Sequence, residues 1–321
     1  MPDTPPRPCL SVIIPVYNEA ANLPGLGAEV AKAMAGLGRS WEVIFVDDGS
    51  SDASYAVIQE MTRRHPGCKG LRLGRNVGQT GAISAGIAQA LGEVIALLDG
   101  DGQNDPRDIP ALLAEIDAGY DVVSGWRKDR QDPGLTRVLP SRIANRIISW
   151  ITGVSLHDYG CTLKLYRSRY LKSVRLYGEM HRFIPAYAGF LGARIKELPV
   201  HHRPRTRGVS KYGLSRTFKV VLDLITVKFM DAYMSKPLYL FGGSGLVMGA
   251  AGLLMAAYTL YHKFHGHVFV KDQPLFLVSI FCALAGLQLL LLGLVAEILV
   301  RVYFDIKDKR PYFIRETVGF D

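Results

Sequence analysis

Three apolar runs in this sequence end in acids. In LLDGDGQNDP the run Val94 to Leu98 leads into Asp99, Asp101 and Gln103. Alternate residues beyond a strand end can project the same way, which would bring two carboxylates and an amide together. An oxygen-rich site of that kind suits Mg²⁺ or Mn²⁺. A hard divalent ion beside a pyrophosphate neutralises the charge that builds on a leaving nucleotide. Aspartates near glycines also make turns, so DGD alone does not separate the two readings. SVIIPVYNE and FVDDGSSD repeat the pattern, each an apolar run ending in polar residues. Three acid-bearing strand ends in one crevice are hard to explain as turns.

The elements that must position these residues follow from the order of the runs. LSVIIPV, WEVIFVDD, GLRLG, EVIALLDG and YDVVSG alternate with helical patterns starting near Glu19, Asp52, Gly78 and Pro106. That alternation specifies an α/β fold with a mostly parallel sheet. Its strands are continuously apolar, as expected when helices cover both faces, and ligands of such sheets bind at the C-terminal strand edge. Beyond Arg127 come a basic, proline-containing loop (RKDRQDPGLTR), a helix near Pro140 to Thr152, and CTLKLYRS, which can return to the sheet.

The 321 residues are 49% hydrophobic. Neither Pro237 to Tyr261 nor Gln273 to Ala296 contains a charged side chain. Each run exceeds the ~20 residues a helix needs to cross a bilayer. HKFHGHVFVKDQ between them makes the pair a hairpin. Lys219, Lys228 and Lys236 precede it and Arg301, Lys307, Lys309, Arg310 and Arg315 follow, against Lys263 and Lys271 in the connection. The positive-inside rule then puts both termini in the cytosol. MPDTPPRPCL is too polar and proline-rich for a secretory signal.

The expected organisation is a cytosolic catalytic domain at 1–212 and an amphipathic interfacial region at 213–236. Transmembrane helices follow at 237–262 and 273–300, with a short non-cytosolic loop at 263–272 and a basic cytosolic tail at 301–321, all in the inner (plasma) membrane. The interfacial region is read from Leu214, Phe218, Val221, Leu222, Ile225, Phe229 and Tyr233, which recur at helical spacing. Gly245 and Gly249 have the spacing of close helix packing, within the hairpin or in a homo-oligomer.

Cys9, Cys68, Cys161 and Cys282 form no CxxC pair, which argues against a disulfide or zinc framework. The net charge of +9 could suggest nucleic acid. The basic residues instead gather between Arg194 and Lys236 and after Arg301, a placement that fits anionic headgroups and a phosphorylated substrate.

The acid-bearing strand ends resemble glycosyltransferase family 2, on the GT-A nucleotide-sugar fold. The matching residues are Pro15, Tyr17, Asn18 and Glu19, then Asp47 and Asp48, then the DxD pair Asp99 and Asp101. The resemblance implies that Glu19 and Asp48 hold the nucleoside, with Asp47 in support, and that Asp99 and Asp101 bind a metal on the diphosphate. In RNVGQTGAISAG, Asn76 and Gly78 fall at a strand-to-helix turn where the family continues its nucleotide pocket; the same residues also read as a capped helix start. Within the family, DGDGQNDP, HDYGCTLKLYR, GEMHRFIPA and HHRPRTRGVSKYG are similar to polyprenyl-phosphate glycosyltransferases of the dolichyl-phosphate mannose synthase type. That likeness implies Gln103 in the metal shell and a basic segment on the lipid phosphate.

A phosphate monoester, with a second pKa of ~6, is already largely dianionic near neutral pH. It needs orienting more than deprotonating. Arg127, Arg130, Arg203, Arg205, Ser210 and Lys211 are the candidates for that cradle. Asp158 lies where inverting members of the family place a catalytic carboxylate, and it either acts as base or holds a basic side chain in register. The second role is physically easier for a phosphate nucleophile. His157 and His181 are secondary candidates, since a lone histidine is more often structural.

The expected reaction transfers a sugar, with inversion, from a nucleotide sugar to polyprenyl phosphate. A UDP-sugar is favoured over GDP-mannose. A processive polysaccharide synthase would carry a QxxRW-type motif and more spans, yet no arginine precedes Trp41, Trp126 or Trp150. A non-catalytic membrane scaffold would have lost the acids.

Overall fold

The computed structural model describes residues 8–128, 139–174, 176, 180–203, 237–266, 268–305 and 312–320. The apolar runs become strands β1 (Leu10–Val16), β2 (Trp41–Asp47), β3 (Cys68–Leu73), β4 (Val94–Leu97) and β5 (Val122–Trp126). Helices α1 (Leu23–Ala35), α2 (Ser54–Arg64), α3 (Gln79–Gln89) and α4 (Ile109–Asp117) lie between them in sequence. Beyond β5 come α5 (Leu139–Thr152), β6 (Lys164–Arg167), α6 (Ser168–Ser173), α7 (Ile184–Phe190) and β7 (Ile195–Pro199).

The sheet runs β7-β5-β6-β4-β1-β2-β3, and an eighth strand, β8 (Ile314–Val318), closes the β3 edge. β1 is parallel to β2 and β4, β2 to β3, and β5 to β7, while β6 runs antiparallel to β4 and β5. The central strands β1, β2 and β4 are mostly apolar because alternate residues meet different helical layers. Val12, Ile14, Val43 and Phe45 pack with Leu26 and Val30 of α1, Ile58 of α2 and Leu112 of α4. Their neighbours Ile13, Ile44 and Val46 pack on the other face with Ala82 and Ile83 of α3.

β8 departs from the sequence expectation. Residues 301–321 read as a basic tail, but Arg301 to Asp305 continue a helix and IRETV pairs antiparallel with β3, Arg72 opposite Glu316. The Gly74 N–H donates to Phe313 O at 2.9 Å, extending the pairing. Five residues with alternating exposure suffice because β3 already presents an unpaired ladder edge.

The chain divides into two compact units, residues 1–224 with 310–321, and residues 225–309. The described part of the second unit holds α8 (Pro237–His265) and α9 (Pro274–Asp305), both longer than the expected spans. They approach closely at glycines. A Cβ at Gly245 would lie 2.6 Å from Gly286 O, and one at Gly286 would lie 2.7 Å from Gly249 N. The small-residue spacing therefore serves packing within the hairpin. Leu246, Leu253, Leu254, Phe281, Leu284 and Ile298 are exposed, so the pair is apolar on its outside. Leu238–His265 and Pro274–Leu299 are long and apolar enough to cross a membrane. The expected amphipathic region 213–236 lies outside the described residues.

Candidate active site

The loops beyond β1, β2 and β4 are tied together by the motif residues themselves. Asn18 has a left-handed backbone, φ +56°, which asparagine tolerates better than most residues. Its N–H donates to Ser50 Oγ (2.9 Å), and its Oδ1 accepts from the Ser51 N–H (2.9 Å). The Glu19 N–H donates to Ser54 Oγ (2.9 Å), and Glu19 Oε2 accepts from Asn22 Nδ2 (2.5 Å). Tyr17 is exposed at the end of β1. Pro15, inside β1, sits opposite Val46, and a Cβ at Gly100 would lie 2.9 Å from Pro15 O. Glycine there lets the DGDG turn lie against the first strand.

Asp47 and Asp48 do different work. Asp48 is buried, and its two oxygens accept from the backbone N–H groups of Val77 (2.8 Å) and Gly78 (2.9 Å). Burial pushes its carboxyl up, and the two amides offset part of that. The same contacts fix the 76–78 turn, where Gly78 takes φ +88°. A Cβ at Gly49 would meet the Arg75 and Asn76 backbone at under 3 Å, so the DDGS turn and the Asn76 turn are in contact. Asp47 accepts from the Ser50 N–H (3.2 Å) and faces Arg72 Nε at 3.5 Å. Arg72 in turn lies 3.6 Å from Glu316 of β8.

Asp99 is held from both sides, by Gln79 Nε2 on Oδ1 (2.8 Å) and Thr162 Oγ1 on Oδ2 (2.6 Å). Burial, and then the charge of Asp101, push its carboxyl up to about 6. Asp101 Oδ1 accepts from the Gln103 N–H (3.1 Å). A carboxylate whose charge is disfavoured by burial and by a second carboxylate is a place where a cation binds well, and the donors are all oxygens. The residues therefore fit Mg²⁺ or Mn²⁺. Among the described residues no three His, Cys, Asp or Glu side chains group as a metal site. Substrate phosphate oxygens and water would complete the shell, as is usual for Mg²⁺.

Arg127, just beyond β5, meets Asp158. Arg127 Nε donates to Asp158 Oδ2 (2.7 Å) and Nη2 to Oδ1 (2.9 Å). Both side chains are largely buried. Burial works against the guanidinium charge, and Asp158 more than reverses that, holding Arg127 above its ordinary range. Glu197 of β7 accepts from the backbone N–H groups of His157 and Asp158, both at 3.0 Å, and from His157 Nδ1 at 2.7 Å. The His157 ring stacks on Trp126, 4.4 Å between centroids.

Arg203 is directed elsewhere. Its Nη1 donates to Glu29 (2.9 Å) and its Nη2 to Asp105 (2.7 Å). Burial alone would raise the Asp105 carboxyl, but Arg107 and Arg203 hold it well below the carboxylate range. The Arg203 N–H donates to Gln103 O (2.9 Å), which fastens this segment to the DGDGQ turn. Arg130, Arg205, Ser210 and Lys211 lie outside the described residues. His181 is buried against Thr80 Oγ1 (2.8 Å), and burial pushes its imidazole down to about 3, so it stays neutral.

Sequence reasoning missed Gln79, Thr162 and Lys164. Lys164, on β6, is 3% exposed, and its Nζ donates to the backbone carbonyls of Tyr159 (3.0 Å) and Cys161. Burial pushes its ammonium down, while the charges of Asp158 and Asp99 support it. The signal was a lysine between two leucines at the start of β6, in CTLKLYR.

A mostly parallel sheet whose C-terminal edge gathers these acids has the GT-A nucleotide-sugar fold. Glucosyl-3-phosphoglycerate synthase from Mycobacterium tuberculosis, solved with Mn²⁺, UDP and glucosyl-3-phosphoglycerate, shares it with a TM-score of 0.52. The match has 14% identity and covers 70% of this chain and 80% of that one. Mannosyl-3-phosphoglycerate synthase from Rubrobacter xylanophilus matches with a TM-score of 0.55 and 15% identity, over 69% and 74% of the two chains. Residues 11–190 match the family described as glycosyl transferase family 2, and the chain belongs to it. It is similar to the dodecaprenyl-phosphate galacturonate synthase of Rhizobium johnstonii, 43% identical over 96% of this chain and 92% of that one. It is also similar to the undecaprenyl-phosphate 4-deoxy-4-formamido-L-arabinose transferase of Pseudomonas paraeruginosa, 37% identical over 98% and 91%.

Proposed function

We propose that this glycosyltransferase moves a sugar from a nucleotide sugar, a UDP-sugar by preference, onto a polyprenyl phosphate, inverting the anomeric carbon. The observation that carries the reading is the bidentate Arg127–Asp158 pair. A hydroxyl acceptor would need a carboxylate base, but Asp158 is engaged as the partner of an arginine. A phosphate dianion needs no base, and an arginine held in register is what orients it. The two relatives, both named for polyprenyl-phosphate acceptors, match along nearly the whole chain, including the apolar helices.

The nucleoside lies among Pro15, Tyr17, Glu19, Asp48 and the Asn76–Gly78 turn, with Asp47 bracing the second loop. Asp99 and Asp101, with Gln103, would hold Mg²⁺ or Mn²⁺. When bound, that ion neutralises charge on the departing diphosphate. Thr162 and Gln79 hold Asp99 in position. With Arg127 Nε and one Nη2 proton directed to Asp158, the guanidinium has further N–H groups for acceptor phosphate oxygens. A phosphate oxygen attacks the anomeric carbon, the bond to the nucleoside diphosphate breaks in line, and the electron pair leaves on the diphosphate oxygen. Arg130, Arg205, Ser210 and Lys211 complete the cradle. Arg203 acts through Glu29, Asp105 and Gln103, tying the segment that leads to them.

The catalytic unit faces the cytosol from the plasma membrane, anchored by α8 and α9. Residues on both sides of the hairpin in sequence belong to one unit, and β8 pairs with β3, which supports an even number of crossings. The basic residues flanking the hairpin support the cytosolic side.

A panel of radiolabelled nucleotide sugars with undecaprenyl or dolichyl phosphate, with and without Mn²⁺, tests this. Label from a UDP-sugar should enter the lipid phase, and only with a divalent ion. Transfer from GDP-mannose alone would replace the donor, and metal-independent transfer would remove the ion.

A further inference from the structure

Arg127 and Asp158 are placed by two neighbouring strands. Arg127 directly follows β5, and Asp158 lies between α5 and β6 in a segment with no strand of its own. That segment is gripped at His157 from both sides. Asn145 Nδ2 of α5 donates to His157 O (2.6 Å), while Glu197 of β7 accepts from the His157 N–H (3.0 Å). The same Glu197 oxygen, Oε1, accepts from the Asp158 N–H (3.0 Å), and Oε2 accepts from His157 Nδ1 (2.7 Å).

The Glu197 side chain is only 10% exposed. Burying a carboxylate is costly unless N–H groups replace its water. Here those groups come from two consecutive residues, so the turn at 157–158 is itself what satisfies the acid. β7 pairs parallel with β5, Ser124 opposite Glu197 and Trp126 opposite Pro199, and the Val200 N–H donates to Trp126 O (3.0 Å). Adjacent strands lie about 4.8 Å apart. The guanidinium is therefore placed by β5 and its carboxylate partner by β7, and the strand ladder sets the spacing between them. Nothing in the reaction as derived above uses Glu197.

We propose that Glu197 is a positioning residue for the acceptor phosphate. Through the His157 and Asp158 N–H groups it aims the Asp158 carboxylate at Arg127, and so sets the guanidinium that meets the phosphate. It touches neither substrate itself. This rests on the reading of Arg127 as the phosphate ligand.

A double-mutant cycle in the full chain tests it. Glu197→Ala frees the turn and should raise KM for polyprenyl phosphate about tenfold to a hundredfold, the scale expected of a small misplacement. KM for the nucleotide sugar should not change, which also shows that the variant is folded. In an Asp158→Asn background the same substitution should alter the acceptor KM by no more than about twofold, because both changes act on one pair. Full multiplication of the two effects would overturn the proposal. So would equal losses toward donor and acceptor, the mark of a merely structural residue. Where Glu197→Ala does not fold, Glu197→Asp, one methylene short of the turn, repeats the cycle.

Glu197→Gln keeps an oxygen for the two backbone amides and should recover most of the loss; no recovery would overturn a role through those amides. If the wild-type protein glycosylates no polyprenyl phosphate, the functional reading fails. The cycle read in unfolding midpoints then decides the coupling. Sub-additive shifts keep Glu197 and Asp158 as one unit, and additive shifts overturn it.

Discussion

Arg127 and Asp158 face each other through two hydrogen bonds, Nε to Oδ2 at 2.7 Å and Nη2 to Oδ1 at 2.9 Å. The pair joins a candidate phosphate ligand and a candidate base into one object. Asp158→Asn keeps the shape and removes the charge. It should raise KM for the lipid acceptor about tenfold to a hundredfold without creating a new ionisation in the pH profile of kcat. A loss confined to kcat, together with loss of the acid limb, would make Asp158 the base. Asp158→Ala should also destabilise the catalytic unit by about 3–5 kcal/mol, because it strands a buried guanidinium.

Asp101 stands beside Asp99 and raises that carboxyl. Asp101→Ala should abolish transfer while the protein still inserts into membranes. Full activity in membranes that carry the variant would end the metal assignment.

Lys164 binds two carbonyls of the loop between Asp158 and Thr162, and so positions the partners of both Arg127 and Asp99. Lys164→Met should lower kcat/KM about a hundredfold for donor and acceptor alike, the effect expected from a small misplacement of both halves. Lys164→Arg should recover part of it. An effect on stability alone, with intact kinetics in the folded fraction, would make the residue purely structural.

His181 gives a pH dependence with a definite sign. Burial lowers its folded pKa from 6.5 to about 3, so the unfolded chain takes up a proton there before the native protein does. Stability should be unaffected by His181 above pH 6.5 and should fall as pH drops from 6.5 toward 3. Unfolding midpoints of the detergent-solubilised protein and His181→Gln should converge on acidification. Parallel curves would contradict the assignment.

At the β3 edge, Arg72 lies between Glu316 (3.6 Å) and Asp47 (3.5 Å). Removing residues 312–321 should expose that strand edge and release Arg72. KM for the donor should then rise several-fold and the protein should aggregate more readily. Unchanged donor binding would leave β8 as an edge cover alone.

The strand ends were legible because continuous apolar runs before Asn18, Asp48 and Asp99 admit few alternatives to buried parallel strands. β8 was not, since IRETV is short, half polar, and gains its pairing from β3, more than two hundred residues earlier in the chain. The partners of Arg203 were hidden for a related reason. Its basic neighbours in sequence pointed to phosphate, but its partners Glu29 and Asp105 come from distant segments. Lys164 and Thr162 acquire roles only when β6 pairs antiparallel with β4 and brings their loop to Asp99.

The most direct test follows phosphorus in one reaction. With purified enzyme, a UDP-sugar, Mn²⁺ and undecaprenyl phosphate, ³¹P NMR should show the lipid monoester becoming a phosphodiester as UDP appears in equal amount. UDP release with the lipid monoester unchanged would mean that the sugar goes to water or another acceptor, and would contradict the account.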